Sequence, residues 1–309
     1  MKLDGRSNRS RELNGILLLD KPEGVTSNAA LQIVKQFYKA DKAGHTGSLD
    51  PLATGLLPIC FGSATKVSSF LLDADKEYLV TGQLGTSTDS GDADGAILVT
   101  NKSVKLEQSH LKNVLASFEG EIQQIPPMYS ALKHKGRRLY EFAREGIEVP
   151  REPRSVTIHS LHLQKIQGSK LTLKITCSKG TYIRTLIEDI AQELGTIGHV
   201  TQLRRLGVGP FDKTQMIVMG KIQATAANGM QALDSLLLPV DDALKDWPSI
   251  QLEEQLCKPF SQGQVVQINS ERSKTQVRVY SHDDIFIGMG KMNGKGELAP
   301  RRIFSQQYT

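Results

Sequence analysis

Asp50 stands at the centre of a segment composed to hold a single acid. The run Gly44-His45-Thr46-Gly47-Ser48-Leu49-Asp50-Pro51-Leu52-Ala53-Thr54-Gly55 combines three glycines, a histidine, a proline and one carboxylate, with neither helical nor strand periodicity. It reads as a shaped loop. Glycines reach backbone angles that other residues resist, while Pro51 fixes its own φ, lacks an N–H and biases Asp50 away from the helical region. An oriented, ionised carboxylate serves as a nucleophile or a base. The same residue types also build ordinary turns, so the reading depends on what else the chain brings to this place.

Three further segments carry polar groups that packing alone does not require: Lys76-Glu77-Tyr78, then Cys177-Ser178-Lys179-Gly180-Thr181-Tyr182-Ile183-Arg184, and His199 followed by Gln202-Leu203-Arg204-Arg205. Tyr78 offers an aromatic face and a hydroxyl, although a strand tyrosine also packs well in a core. Arg184 has a local alternative, an exposed pair with Glu188 at i, i+4 worth tenths of a kcal/mol. Metal chemistry is not indicated. The run Asp89-Ser90-Gly91-Asp92-Ala93-Asp94-Gly95 has the acid density of a calcium loop, but counting from Asp92 its twelfth position is Ser103 rather than the required Glu. It reads as an acidic surface loop. Cys60, Cys177 and Cys257 are far apart, show no zinc spacing and read as small buried residues, and the histidines form no i, i+4 ligand pair. No metal and no organic cofactor is expected.

The elements that must position these groups follow from apolar spacing. Residues 15–19 form a short apolar run, read as a buried strand, stopped by Asp20-Lys21-Pro22. Thr26, Ser27 and Asn28 offer N-caps to a helix with Ala30, Ile33, Val34 and Phe37 on one side. Residues 56–61 predict a strand, 64–72 a short helix, and 77–84 a strand carrying Tyr78; Leu111, Val114, Leu115 and Phe118 mark another helix. Residues 122–154 look like an excursion from the core, with Pro126-Pro127 and the basic cluster Lys133, Lys135, Arg137 and Arg138. Val156, Ile158 and Leu163, then Leu171, Leu173, Ile175 and Cys177, alternate with period two about Gly168-Ser169 and predict a hairpin. Thr181 is the expected cap of a helix whose stripe Ile183, Leu186, Ile187, Ile190 and Leu194 ends at Gly195. Residues 200–208 read as a last core strand. Beyond Trp247 the pattern turns to short strands, with Asn293-Gly294 as a hairpin turn. The expected class is α+β: a basic tail over 1–12, a main domain over 13–248 with the 122–154 insertion, and a small β-rich domain over 249–309.

Thirty-eight Lys and Arg against 33 Asp and Glu give a formal charge of +5, the sign suited to nucleic acid without requiring it. No run reaches the roughly 18 apolar residues of a membrane span, and the first twelve residues are polar and basic, so a soluble, intracellular protein is expected.

Taken together and in order, the stretch 15–22, the Gly44 to Gly55 run, 73–78, Tyr129-Ser130-Ala131-Leu132-Lys133, 180–184 and Leu203-Arg204-Arg205 resemble the bacterial TruB-type tRNA pseudouridine synthases. That resemblance implies a pseudouridine synthase fold, with a mixed, mainly antiparallel sheet and flanking helices. It also implies a thumb-like insertion at 122–154 and a PUA-like RNA-binding domain at the end. It implies isomerisation of uridine 55 in the tRNA T-loop by base flipping, without a cofactor, by a cytoplasmic monomer that needs no protein partner. By the same resemblance Asp50, Tyr78 and Arg184 are catalytic, with Arg184 paired to Asp50. His45 fills the gap left by the flipped base. Leu203 and Ile183 line the apolar side of the base pocket, Tyr182 is a further substrate-binding residue, and Lys21, Lys66, Lys133, Lys135, Arg137 and Arg138 are candidates for phosphate contact, as are Arg301 and Arg302 in the last domain. Two other readings compete. An RNA-binding protein without catalysis gives no reason to hold a carboxylate near phosphates, and a hydrolase lacks a nucleophile elbow or metal site.

Overall fold

A computed structural model describes residues 10–101, 107–268 and 275–304. The basic tail expected over 1–12 therefore lies, as far as residue 9, outside the described residues. The chain opens with β1 (Gly15–Lys21) and α1 (Ser27–Tyr38), whose N-cap is Thr26, with Oγ1 accepting from Ala29 N at 3.1 Å. β2 (Ala43–His45) and β3 (Thr54–Phe61) bracket the Asp50 loop, so Gly44 and His45 belong to a short strand rather than to the loop. A 3-10 turn, Gly62–Val67, and α2 (Ser68–Asp73) lead to β4 (Lys76–Leu84). The small pair β5 (Thr86–Thr88) and β6 (Ile97–Thr100) flanks the acidic run, and α3 (Gln108–Ser117) precedes β7 (Gly120–Gln124).

The excursion is built from the two-residue strands β8 (Lys133–His134) and β9 (Arg137–Arg138), with α4 (Leu139–Arg144) behind them. The hairpin of β10 (Arg154–Gln167) and β11 (Lys170–Cys177) turns at Gly168-Ser169 as the alternation predicts. α5 (Ile183–Glu193) and β12 (Gly198–Val208) follow, with β13 (Ile217–Val218) at the sheet edge. α5 starts one step later than expected: its N-cap is Tyr182, and the Thr181 hydroxyl turns back to donate to Ser178 O at 2.9 Å. Gln124 holds the N-cap residue from the side. Its side chain accepts from Tyr182 N at 2.7 Å and donates to Tyr182 O at 3.0 Å.

Among the described residues nine strands make one sheet, ordered β13-β1-β3-β12-β4-β11-β10-β7, with β2 on β3. Only β1–β13 and β3–β12 are parallel; the remaining pairs are antiparallel. β4 explains why one face is dry: Lys76, Tyr78, Val80, Gly82 and Leu84 alternate inward, and Ile187 of α5 presses on Gly82, where a Cβ would stand 2.8 Å from its methyl. The core there joins α1, α3 and α5 to the sheet. A second sheet, β14 (Ser249–Gln251), β16 (Gln276–Tyr280), β17 (Phe286–Met292), β18 (Glu297–Ile303) and β15 (Val266–Gln267), packs with a helix, Glu254–Ser261. Met289 of that sheet shares a cluster with Leu18, Leu71 and Phe211 of the first part. The three cysteines are free and buried. No helix among the described residues is long and apolar enough to cross a membrane.

Candidate active site

The Asp50 loop is fastened along its length. Thr46 N donates to Pro58 O at 3.1 Å, and Gly24 N donates to Pro51 O at 2.9 Å. At Leu49 the fully enclosed Ser27 hydroxyl plays both parts, accepting from Leu49 N at 2.7 Å and donating to Leu49 O at 3.0 Å. Leu49, Leu52 and Ala53 are sunk into the core, which leaves the intervening Asp50 at the surface of a rigid turn. Gly47 and Gly55 have φ of 96° and 97°, whereas Gly44, part of β2, needs no special conformation. Gly55 is required twice over, because a Cβ there would lie 2.2 Å from Arg205 O, where β3 runs beside β12.

Arg184, at the first turn of α5, comes to meet the acid. Its Nε lies 3.0 Å from Asp50 Oδ2, its side chain 5% exposed and that of Asp50 42%. The rest of the guanidinium is occupied: Nη1 donates to Ser90 O at 2.6 Å and Nη2 to Tyr129 O at 2.7 Å. Asp92, 7% exposed at its side chain, places Oδ2 3.6 Å from Nη1. Its Oδ1 accepts from Ser90 Oγ at 2.6 Å and Asp94 N at 3.2 Å. The acidic run is thus no surface loop at Asp92; it is folded inward as a second counter-ion. The Arg184 to Glu188 pair does not form as an ion pair. Burial pushes the Asp50 carboxyl above its ordinary value, Arg184 draws it back down, and Asp92 adds to the upward push. The result is an acid that is oriented, partly open to solvent and still able to change protonation state.

Tyr78, Ile183 and Leu203 belong, with Leu49 and Leu52, to the same buried cluster. Tyr182 is half-buried at the head of α5. His45, at the end of β2, has an Nδ1 enclosed without a partner; burial and the charge of Arg205 lower its pKa, which keeps the ring neutral. Two of the proposed RNA-contacting lysines are otherwise engaged. Lys21 is fully buried, and its ammonium donates to Pro22 O at 2.8 Å, Val25 O at 2.6 Å and Pro51 O at 3.3 Å, so it braces the loop and reaches no phosphate. Its desolvation lowers the pKa to about 8. Lys66 donates to Ile303 O at 2.6 Å and lies 5.3 Å from the Phe304 ring centre, joining the first part of the chain to the last strand. Lys133 is exposed on the β8–β9 hairpin beside Lys135 and Arg138, while Arg137 packs 4.4 Å over Phe142 and pairs with Glu145 at 2.5 Å.

Ser27 and Arg205 escaped the sequence reading as parts of the site, and Asp92 was read as part of an acidic surface loop, although the resemblance places a similar segment near the active site. Ser27 had looked like one of three possible caps. Arg205, fully buried on β12, donates from Nε to Leu56 O at 2.7 Å and from Nη2 to Gly47 O at 3.1 Å. Its place beside Leu203 in the Leu-Arg-Arg run was the available signal.

Family comparison decides what this arrangement is. Residues 35–183 match the TruB family pseudouridylate synthase N-terminal domain, 184–245 the tRNA pseudouridylate synthase B C-terminal domain, and 248–304 the pseudouridine synthase II TruB C-terminal domain. The chain belongs to the TruB family of pseudouridine synthases. In this TruB-family chain Asp50 and Tyr78 come from the first match and Arg184 from the start of the second, so the pair spans the two. tRNA pseudouridine synthase B of Nitrosococcus oceani is 50% identical over 299 residues, covering 96% of this chain and 97% of that protein. The protein of the same name from Salmonella typhi is 48% identical over 303 residues, with 96% of each covered. A chain of the Cbf5-Nop10-Gar1 complex superposes with a TM-score of 0.73 at 23% identity, over 94% of this chain and 85% of that one, which extends the likeness in fold. The mixed α+β pseudouridine synthase fold with a β-rich C-terminal part is therefore established.

Proposed function

We propose that this TruB-family enzyme converts uridine 55 in the T-loop of tRNA to pseudouridine, with Asp50 as the group that acts on the nucleoside. The observation that carries this reading is the ion pair of Asp50 with a buried Arg184 whose other two nitrogens donate to Ser90 O and Tyr129 O, with Tyr78 close enough to feel the charge of Asp50. The full-length relatives named as tRNA pseudouridine synthases support the choice of RNA. The reaction breaks N1–C1′ and makes C5–C1′; C5 gives up a proton and N1 gains one. Atoms and electrons balance within the nucleoside, so the work consists of covalent catalysis, proton transfer and orientation. Arg184 keeps Asp50 available as a carboxylate against the pull of burial. Tyr78 supplies a face for the extruded uracil and an oxygen for the C5 proton, with Leu203 and Ile183 on the apolar side.

Extraction of the base from a folded loop costs unstacking energy, of the order of a few kcal/mol. A neutral His45 at the mouth is suited to stack in the vacated place. Lys133, Lys135 and Arg138 on the thumb-like hairpin and Arg301 and Arg302 on the PUA-like sheet are exposed for phosphate contact. The enzyme acts in this reading as a cytoplasmic monomer, which light scattering at working concentration tests. The reaction itself is tested with a T-arm transcript tritiated at uracil C5. Label is released to water by the native protein and not by Asp50→Asn, and mapping of a whole tRNA finds pseudouridine at position 55 alone. Release by Asp50→Asn refutes the assignment.

A further inference from the structure

We infer that Arg205 is a positioning residue for the reaction, setting the Tyr78 side chain and the Asp50 loop against each other. Arg205 on β12 lies directly opposite Tyr78 on β4 in the antiparallel register. Such partners carry their side chains on one face about 5 Å apart. Arg205 is 1% exposed, and no carboxylate pairs with it among the described residues. A buried, uncompensated cation is costly, and two carbonyls are satisfied as well by a neutral amide. The charge therefore needs another object. It cannot reach an RNA phosphate from a fully enclosed position.

The groups around Tyr78 narrow the choice. Burial is the largest influence and holds its phenol above the ordinary value; the charge of Arg205 draws it down, whereas Cys177 on β11 and Asp50 in the loop oppose ionisation. Arg205 in turn feels Tyr78 as its favourable neighbour, and its charge also bears on Lys76 and His45. Through Gly47 O and Leu56 O the same guanidinium grips both sides of the Asp50 loop. One side chain thus sets the relative position of the loop and the tyrosine.

This inference rests on the reading of Tyr78 as the acceptor of the C5 proton. In that step the C5–H bond breaks, its electron pair forms the C5–C6 double bond, the C6–N1 double-bond pair moves onto N1, and the Tyr78 phenolate becomes phenol. The hydroxyl then returns a proton to N1, so each turnover leaves the tyrosine as it began.

Spectrophotometric titration isolates Tyr78 as the difference between a protein and its Tyr78→Phe counterpart, without any turnover. In Arg205→Gln the Tyr78 phenol ionises at higher pH than in the native protein. The single-turnover rate at saturating RNA falls by about tenfold for each unit moved, with RNA affinity within about twofold of native. Arg205→Lys restores the charge and most of the titration and of the rate. An unmoved Tyr78 titration in Arg205→Gln overturns the inference. If Arg205→Gln does not fold, Arg205→Lys decides: a native Tyr78 titration with lowered thermal stability supports the role, and a titration that shifts in step with stability overturns it. Full activity in Tyr78→Phe refutes instead the proton-acceptor reading beneath it, a failure visible separately because the titration needs no RNA.

Discussion

Ser27→Ala removes one oxygen from beneath the Asp50 loop and leaves two buried backbone groups, Leu49 N and Leu49 O, without the partner they share. Each unsatisfied buried group costs about 1–3 kcal/mol. The hole left by an oxygen is small, so values in the lower half of that range apply and the sum is about 3 kcal/mol. For a chain of this size that corresponds to a fall of roughly 5 °C in melting temperature. The larger effect concerns chemistry. Asp50 follows Leu49 directly, and a displacement of about 1 Å at a reacting group costs up to about a hundredfold in rate. Urea unfolding should show a lower midpoint with an unchanged slope, and single-turnover conversion of a T-arm transcript should slow about 10- to 100-fold at unchanged RNA affinity. A variant that loses the stability but keeps its rate within about twofold refutes the argument. The loop would then be held by Lys21, Gly24 and Arg205 without help from Ser27.

Arg184→Ala should reduce the single-turnover rate far more than RNA binding; equal losses in both would make Arg184 an RNA or folding contact. Because burial raises the Asp50 pKa and Arg184 lowers it, the acid limb of the native rate profile should lie above the ordinary carboxylate range. It should move higher still in Arg184→Ala, and an acid limb that stays put would disconnect the two. Burial raises Glu188 from 4.5 to about 7. A folded pKa above the unfolded one gives a contribution present below 4.5 and lost as pH rises through about 7. Urea midpoints of native protein should therefore fall relative to Glu188→Gln across that window, and parallel curves would show that Glu188 does not titrate there. Lys66→Ala should cost about 1 kcal/mol or less, since the bond is exposed, and should leave saturated turnover unchanged; a selective loss of RNA affinity would return Lys66 to the phosphate contacts.

Local chemistry was legible where it is encoded locally. The turn composition around Asp50, the Thr26 cap, the stripe of α5 and the Gly168-Ser169 hairpin all depend on neighbours a few residues away. The Asp50–Arg184 pair does not; it was reached through the resemblance to TruB-type enzymes, since spacing alone also allowed the Glu188 partner. Asp92 was read as solvent-facing because its acids are dense, and only the sheet topology reveals that β5 and β12 hold that run against α5. Lys21 and Lys66 have partners that the local sequence does not announce. A lysine in a basic protein invites an RNA role, but three carbonyls near Lys21 and the last strand near Lys66 come from folding that the local sequence does not display. Thr181 does not cap α5, and the N-cap residue Tyr182 is held by Gln124, a residue from across the sheet.

The position of β12 between β3 and β4 bears on how the protein is made. β3 pairs with β1 and β4 with β11, yet the two halves of the sheet are joined to each other only once residues 198–208 have been synthesised. Gly55, at the far end of the Asp50 loop, takes its final shape against Arg205 of that late strand. A nascent or truncated chain ending before β12 therefore has the acid without the strand and the Arg205 guanidinium that brace its loop.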